Sequence, residues 1–373
     1  MIDATAVPAD RGGVGRYLDE LVPALHRAGV DLAIACQARD ADGFAALAPD
    51  AEVVALPRSL ESVPRRLVWE QSGLPGLLRR LGADVLHSPH YTMPLRTSVP
   101  VTVTLHDATF FTHPELHLAV KARFFRTATR AAVRRASSFV VPTAATRDEV
   151  AAWTPLDPMR VHVAHHGVDL ARFRPVAPGE VSRVRDGLGL GERPYVAFLG
   201  TQEPRKNVPA LVDGWVTAFR DAGEGAPALV LAGGAGWDAG VDPAIARVPA
   251  GMHLLRPGYL PVDDLPAYLA GALVVAYPSV AEGFGLPVLE AMACGAAVLT
   301  TRDAALSEVG GEAVAYTEPT PGAIAHALRG LLADPGRRAT LSAAATTRAG
   351  AFTWDASARV HLKAYEAAVA RRR

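Results

Sequence analysis

The feature that most constrains this chain is an alternation, kept up along nearly its whole length, of short apolar runs with longer amphipathic stretches. The apolar runs are bounded by Gly, Pro and Asp and are too short for helices, as expected of strands buried on both faces. The stretches between them carry apolar residues at helical spacing. In 14–27, Val14, Leu18, Leu21, Val22 and Leu25 share one face and Gly29 follows the last turn, while Pro23 predicts a kink. Strand, helix, strand in this order argues for parallel pairing, since a parallel neighbour is reached by such a crossover. Strands are predicted at 1–7, 31–36, 84–88, 99–106, 137–142 and 160–165, then in "YVAFLG", "ALVLAGG", "MHLLRPG", "ALVVAYPS" and "AAVLTT". Between the two series, "HGVDLARFRPVAPGE" (166–180) carries two prolines and two glycines and reads as a linker. The 373 residues suffice for two domains, each with its own core. The expected class is α/β, with two Rossmann-like doubly wound parallel sheets and a cleft between the domains. An N-terminal domain spans 1–170, a C-terminal domain 171–353, and a last helix over 354–373 packs back on the N-terminal domain.

Charge and cysteine content narrow the function. Lys and Arg total 38, as do Asp and Glu, so no global field favours nucleic acid. Cys36 and Cys294 lie far apart without metal-ligand spacing, which reads as two buried thiols in a reducing compartment. Asp3 and Asp10 interrupt any secretory leader, and no apolar run reaches ~18 residues, so a cytoplasmic location is expected. One tract is locally basic: "KARFFRTATRAAVRRASSF" (121–139) contains Phe124 and Phe125 and lies in a stretch with no acid between Glu115 and Asp148. It is either a helix resting on the anionic inner face of a membrane or a solvated helix with two core phenylalanines.

Ligands in open α/β sheets bind at the carboxyl ends of strands, and four segments there carry chemistry. In "DRGGVGRY" (10–17), Gly12, Gly13 and Gly15 let backbone amides approach a phosphate at a helix N-terminus; a glycine-rich turn without ligand is the plain alternative. In "GTQEPRKN" (200–207), Asn207 is expected to cap a helix bearing Val208, Leu211, Val212, Trp215 and Phe219, which sets Arg205 and Lys206 beside its positive end. Local stability does not ask for two cations there, but an anion does; the alternative is a solvated charged loop. In "EGFGLPVLE" (282–290), two carboxylates eight positions apart flank a Gly-Phe-Gly loop, with Pro287 expected as first helical residue. The amides of Phe284, Gly285 and Leu286 can face a phosphate, although loosely spaced acids are often merely solvated. In "LHDATFF" (105–111), His106 and Asp107 make either a base with its orienting acid or a structural strand end.

Weaker signals are set aside. "GAGWDA" (234–239) fits a dinucleotide fingerprint, but the next strand ends without a ribose-binding acid, so it reads as a tight turn. "DAD" (40–42) reads as a short acidic loop. His113 and His117, four apart, have no evident third metal ligand. No bound metal is expected.

Taken in order, "GGVGRY", "LHDAT", "HGVDLARFRP", "GTQEPRKN", "GYLPVDDLPAYLAGA" and "SVAEGFGLPVLEAMACGAAVLTT" resemble the retaining family-4 glycosyltransferases, in particular a bacterial mannosyltransferase-like branch. The resemblance runs from the first ten residues to about Trp354. It implies the GT-B fold, with a nucleotide-diphosphate sugar in the interdomain cleft and no cofactor. By the same resemblance Glu282 binds donor-sugar hydroxyls and Glu290 the ribose. Arg205 and Lys206 hold the diphosphate, with help from Gly285 and Gly13. His106 lies by the transferred sugar, and Tyr259 and Leu260 pass beside the base. Thr201 stands where many members carry Arg, so Arg205 is expected to supply that charge. The expected reaction is metal-independent transfer of a sugar, with mannose from GDP-mannose the leading donor, to a glycolipid or polysaccharide acceptor. Within enzymes the rivals are a UDP-sugar transferase, an epimerase or a phosphorylase on the same fold. Outside that class stand a non-catalytic sugar-nucleotide-binding subunit and, on "GAGWDA" alone, an NAD-dependent oxidoreductase.

Overall fold

The protein's structure is a computed structural model that describes residues 1–9 and 11–371. Asp10, in the glycine-rich segment, and Arg372 and Arg373, in the expected last helix, lie outside the described residues. The chain forms two compact units, Met1–Gly167 together with the chain from Thr353 onward, and Val168–Phe352. The expected boundary at 170/171 therefore falls slightly late. The start of the supposed linker is packed: Val168 and Phe173 are buried in the second unit's core, and the Val168 N–H donates to the Phe352 carbonyl at 3.1 Å.

The first unit is built on seven strands, β1 (Ile2–Asp3), β2 (Ala33–Gln37), β3 (Glu52–Leu56), β4 (Leu86–Ser88), β5 (Val101–Thr104), β6 (Ser138–Val141) and β7 (Val161–Val163). All pair in parallel, in the order β3-β2-β1-β4-β5-β6-β7. The second holds six, β8 (Tyr195–Leu199), β9 (Ala228–Ala232), β10 (Leu254–Gly258), β11 (Val274–Tyr277), β12 (Val298–Thr301) and β13 (Ala315–Thr317). These too are parallel, ordered β10-β9-β8-β11-β12-β13. Each sheet reverses its winding beside its first strand, between β1 and β4 and between β8 and β11. The loops leaving those strands diverge, which opens a crevice where ligands bind in such sheets. Strands β3 and β13 were not predicted. Both are edge strands; β3 is only half-buried, so its apolar run is diluted by exposed residues.

The first long helix, Gly12–Arg27, starts two residues before the predicted Val14 and takes the glycine-rich segment in as its first turn; it continues through Pro23 as one helix. The last helix, Trp354–Ala370, packs within the first unit against Gly12–Arg27 and against β6 and β7. Its His361 is fully buried, with Nε2 2.6 Å from the Tyr17 hydroxyl.

Burial disfavours the charged imidazole and lowers the His361 pKa from 6.5 to about 4, against the opposing Ser357 carbonyl. The unfolded chain therefore takes up this proton first as the pH falls. Stability should be complete above about pH 6.5, decline towards about pH 4 and level off below it, with ~3 kcal/mol assignable to His361. Urea midpoints measured across that window should fall, and the slope should be shallower in His361→Gln; equal slopes would contradict the assignment.

Candidate active site

Strand β8 is wholly buried and is followed by Gly200, whose φ of +151° lets the chain turn out of the sheet. Residues Pro204–Lys206 then make one tight turn before the helix Val208–Phe219. Asn207 precedes that helix as expected, but its side chain does not cap it. The residue is left-handed (φ +58°), and its amide donates to the carbonyls of Pro278 (3.3 Å) and Pro319 (2.9 Å). It thus ties together the loops after β8, β11 and β13. The Val280 N–H, donating to the Arg205 carbonyl at 2.8 Å, makes a second tie.

These ties bring Arg205, Lys206 and Glu282 into contact. Glu282 is 8% exposed; its Oε1 accepts from Lys206 Nζ at 2.6 Å and from the Tyr277 hydroxyl at 2.8 Å, and Ser279 Oγ lies 2.8 Å away. Its Oε2 pairs with Arg205 Nη1. Arg205 Nε also donates to Glu203 Oε2 at 2.8 Å. The Lys206 ammonium contacts the Tyr277 hydroxyl and sits 4.5 Å from the centre of its ring.

A buried ammonium and a part-buried guanidinium thus share one buried carboxylate, and the pKa shifts follow from that arrangement. Burial works against charge on Glu282, but Arg205 and then Lys206 outweigh it and bring the carboxyl down to about 2. For Lys206, burial and the neighbouring Arg205 outweigh Glu282, and the ammonium falls to about 8. Glu282 therefore stays anionic, and with Glu203 on the guanidinium the two cations are balanced by two carboxylates, so an anion would have to compete with these acids for Arg205 and Lys206.

The loop that follows is shaped by Gly285, left-handed at φ +93°, which precedes the helix Leu286–Ala293. A Cβ there would lie 2.4 Å from Leu306 Cδ2. The helix starts at Leu286, so Pro287 is its second residue rather than its first. Gly285 provides no side-chain cap for this helix, and its carbonyl accepts from the N–H groups of Val288 (3.0 Å) and Leu289 (3.2 Å). Phe284 is buried and meets Phe352 edge-on at 6.1 Å. Glu290 lies in the second helical turn and is 2% exposed. Thr201 follows Gly200 directly. Tyr259 is exposed just after β10, whereas Leu260 packs on the core. The glycines before and within "GAGWDA" serve close packing: a Cβ at Gly233 or Gly236 would lie 2.3 or 2.1 Å from the carbonyl oxygens of Gly200 and Gln202. That turn braces the loop bearing Arg205.

Sequence reasoning missed Glu203, Tyr277, Ser279 and Asp303. Tyr277 and Ser279, two apart where β11 runs out, were a usable signal, since polar groups ending an apolar strand face a crevice. Asp303 accepts the N–H groups of Ala305 and Leu306, both at 3.1 Å, and so caps the helix that packs under Gly285. Burial raises its pKa to about 6, with the nearby Glu282 charge adding to the shift.

In the first unit, of the two readings of His106 and Asp107, the base with its orienting acid is not formed. His106 Nε2 lies 2.6 Å from the Pro89 carbonyl, so it carries the proton and Nδ1 remains the acceptor. Asp107 instead accepts from the Thr109 N–H (3.0 Å) and hydroxyl (2.8 Å), closing a turn. Burial lowers the His106 pKa, and the Pro89 carbonyl and Asp107 only partly offset this. Gly13 is exposed in the first helical turn, with nothing within 4 Å of a Cβ placed on it. Arg11 precedes that turn and pairs with Asp19 and with Asp40 (3.0 Å), so the "DAD" segment is partly neutralised by the chain itself. His113 and His117 do not share a helix; each contacts a threonine hydroxyl at 2.9 Å. No group of three His, Cys, Asp or Glu among the described residues could hold a metal ion.

Two parallel-sheet units of seven and six strands are the architecture of the GT-B type, and comparison with known proteins places the chain there. Residues 11–172 match the family model described as Glycosyltransferase Family 4, and residues 182–348 the model Glycosyl transferases group 1. The chain is 33% identical to the D-inositol 3-phosphate glycosyltransferase of Salinispora tropica, over 98% of this chain and 83% of that one. It is 29% identical to O-antigen chain mannosyltransferase B of Escherichia coli, over 81% and 77% of the two chains. In fold it matches the sucrose-phosphate synthase of Thermosynechococcus elongatus, with a TM-score of 0.78 and 19% identity over 98% and 97%. The chain belongs to the family-4 glycosyltransferases and is a glycosyltransferase.

Two glycines separate folding from function. Gly285→Ala should destabilise the protein by roughly 1–3 kcal/mol, from the left-handed backbone and the Leu306 contact. Gly13→Ala, helical with open space around it, should be neutral or stabilising by up to ~1 kcal/mol. Thermal melts of the two variants check both; a Gly285→Ala protein as stable as wild type would contradict the first.

Proposed function

We propose that the protein moves mannose from GDP-mannose to a glycolipid or polysaccharide acceptor with retention of configuration and without a metal. The observation that carries this is the buried Arg205–Glu282–Lys206 cluster at the winding reversal of the second sheet. Departure of a nucleoside diphosphate builds negative charge on its phosphates. Arg205, Lys206 and the amides of Phe284, Gly285 and Leu286 offer prearranged positive charge there, the part a divalent ion plays elsewhere. A bound diphosphate would compete for both cations and release Glu282 towards the sugar hydroxyls.

Glu282 is held by donors on both oxygens, which suits a binder of hydroxyls better than a nucleophile. The favoured course is therefore substitution on one face: the bond from the anomeric carbon to phosphate breaks, the bond to the acceptor oxygen forms on the same side, and the acceptor's proton passes to the leaving phosphate. Glu290 is assigned to the ribose, and Thr201, Tyr259 and Leu260 to the donor's nucleotide end. In the first unit, the family resemblance assigns His106 to the sugar's outer hydroxyls and Gly13 to the diphosphate. The mannosyltransferase relative supports the choice of sugar, and the inositol phosphate relative the broader class.

A lipid-linked acceptor and a cytoplasmic place at the membrane's inner face complete the proposal. No helix among the described residues is long and apolar enough to cross a membrane. On the helix Ala119–Arg135, Phe125 is core, but Phe124 is 39% and Val120 83% exposed, with Leu118 before them and Lys121, Arg123 and Arg134 also outward. Apolar tips within a basic face suit an anionic lipid surface. Vesicles containing phosphatidylglycerol should retain the protein in flotation at low salt, and Phe124→Asp should reduce that retention severalfold. Equal flotation with neutral and anionic vesicles would remove the contact.

The donor is tested by thermal shift and by hydrolysis of GDP-mannose, UDP-glucose and UDP-GlcNAc, with GDP and UDP alone as controls. Stabilisation by GDP with slow mannose release is expected; response to UDP species alone would keep the family and replace the sugar, and silence from all would favour a non-catalytic subunit. Glu290→Ala should weaken nucleotide binding on the order of tenfold, whereas Glu282→Ala should mainly slow transfer, by about a hundredfold. Because burial and the neighbouring Arg205 lower the Lys206 ammonium to about 8, diphosphate affinity should fall as the pH rises through that value. In Lys206→Arg, which stays charged, that fall should be absent.

A further inference from the structure

The last helix reaches into the first unit with Ser357, His361 and Tyr365, one turn apart and all buried. From them runs a chain of hydrogen bonds whose proton directions are set at one end. His361 Nδ1 lies 2.8 Å from the Ser357 carbonyl, and a carbonyl only accepts, so Nδ1 carries the proton. In the neutral ring Nε2 must then accept, and the Tyr17 hydroxyl at 2.6 Å donates to it. Having spent its one proton, the Tyr17 oxygen accepts from the Thr104 hydroxyl at 3.1 Å. Thr104 in turn accepts from His87 Nε2 at 2.7 Å, which leaves His87 Nδ1 to accept from the Tyr365 hydroxyl at 2.9 Å. The chain thus leaves the last helix, crosses the helix Gly12–Arg27 and strands β5 and β4, and returns one turn further along. Every member is buried, so reversing one bond would leave another polar atom unpaired.

One ring contact and one short stretch of backbone join this chain to His106. The Tyr17 ring meets the His106 imidazole edge-on, with centroids 5.1 Å apart and planes at 85°. Thr104, in the middle of the chain, ends β5 two residues before His106. The imidazole is also held through its Nε2 at the Pro89 carbonyl, and the rings of Tyr91 and His166 lie further off, with centroids at 6.1 and 6.0 Å against 5.1 Å for Tyr17. We propose that Tyr17 and His361 are positioning residues for sugar transfer: the chain from the last helix immobilises Tyr17, and Tyr17 fixes the plane of His106 and hence the direction of its Nδ1. The last helix is then part of what makes the first unit competent, rather than only a cover for its sheet. This inference rests on the role proposed above for His106.

The test is Tyr17→Phe, which keeps the ring against His106 and deletes the one proton His361 Nε2 receives. Transfer should fall on the order of tenfold in kcat, with the donor KM within about twofold of wild type, because a misaimed group slows the reaction without loosening the nucleotide. The His106 imidazole nitrogen resonances, assigned with His106→Gln, should shift in the same variant. A folded Tyr17→Phe protein with unchanged kcat and unmoved His106 resonances overturns the proposal. Should Tyr17→Phe not fold, Tyr365→Phe removes only the terminal donor: a reduced kcat at unchanged donor KM supports the proposal and an unchanged kcat overturns it. Should wild type transfer no sugar from any nucleotide, the functional reading falls instead. Positioning is then decided by the resonances alone, moved in support and unmoved against.

Discussion

The ionic contact of Arg205 and Lys206 with Glu282 is the constraint around which the strand-end loops of the second unit are arranged. Taking a carboxylate and an ammonium out of water costs several kcal/mol each, and attraction repays it only with good geometry and satisfied remaining bonds. Here Tyr277 and Ser279 supply the remaining bonds to the carboxylate, and Glu203 takes up part of the guanidinium. None of these groups would be stable in that place alone. Their cost is accepted at the point where β8 and β11 part, the one place in such a sheet where a ligand reaches loops from both directions of winding.

The surrounding backbone serves that contact. Gly200 turns the chain off β8, left-handed Asn207 ties three loops together, and Gly285 allows the loop after Glu282 to lie on Leu306. Gly233 and Gly236 let a neighbouring turn approach so closely that no side chain would fit. These are local compromises of backbone freedom made for the position of a few side chains, and they gather on the carboxyl side of the sheet. In the first unit the comparable investment is in buried polar side chains. The hydrogen bonds that join the last helix to Tyr17, Thr104 and His87 close the sheet's core with neutral histidines.

Much of this was legible in the residues. The parallel class followed from alternation, because an apolar run buried on both faces reads the same in any such sheet. The two edge strands did not, since half of β3 faces water and its composition resembles a loop. Arg205, Lys206 and Glu282 were legible as a group because each sits next to a strand end beside glycine and proline. Asn207 was placed correctly before its helix but given the wrong bond, since a left-handed residue aims its side chain away from the first turn. His106 and Asp107 show the same limit: neighbours in sequence at a strand end point in different directions, one to Pro89 and the other to Thr109. Asp303 left no signal, as its relation to Glu282 depends on the packing of β11 beside β12.

By itself the sequence determined the periodicities, hence two parallel α/β units, and which residue types stand at each strand end, hence a candidate site where cations and carboxylates gather. Both are local properties, written in spacing and in the conformational freedom of single residues. Only the tertiary structure decided which acid meets which base, that two cations share one carboxylate, and that the last helix is bonded to strands far from it in the chain. Those outcomes depend on strand order and on the directions of individual hydrogen-bond donors. Neither is encoded in any one segment, because each is settled only when segments distant in sequence compete to satisfy the same buried polar atoms.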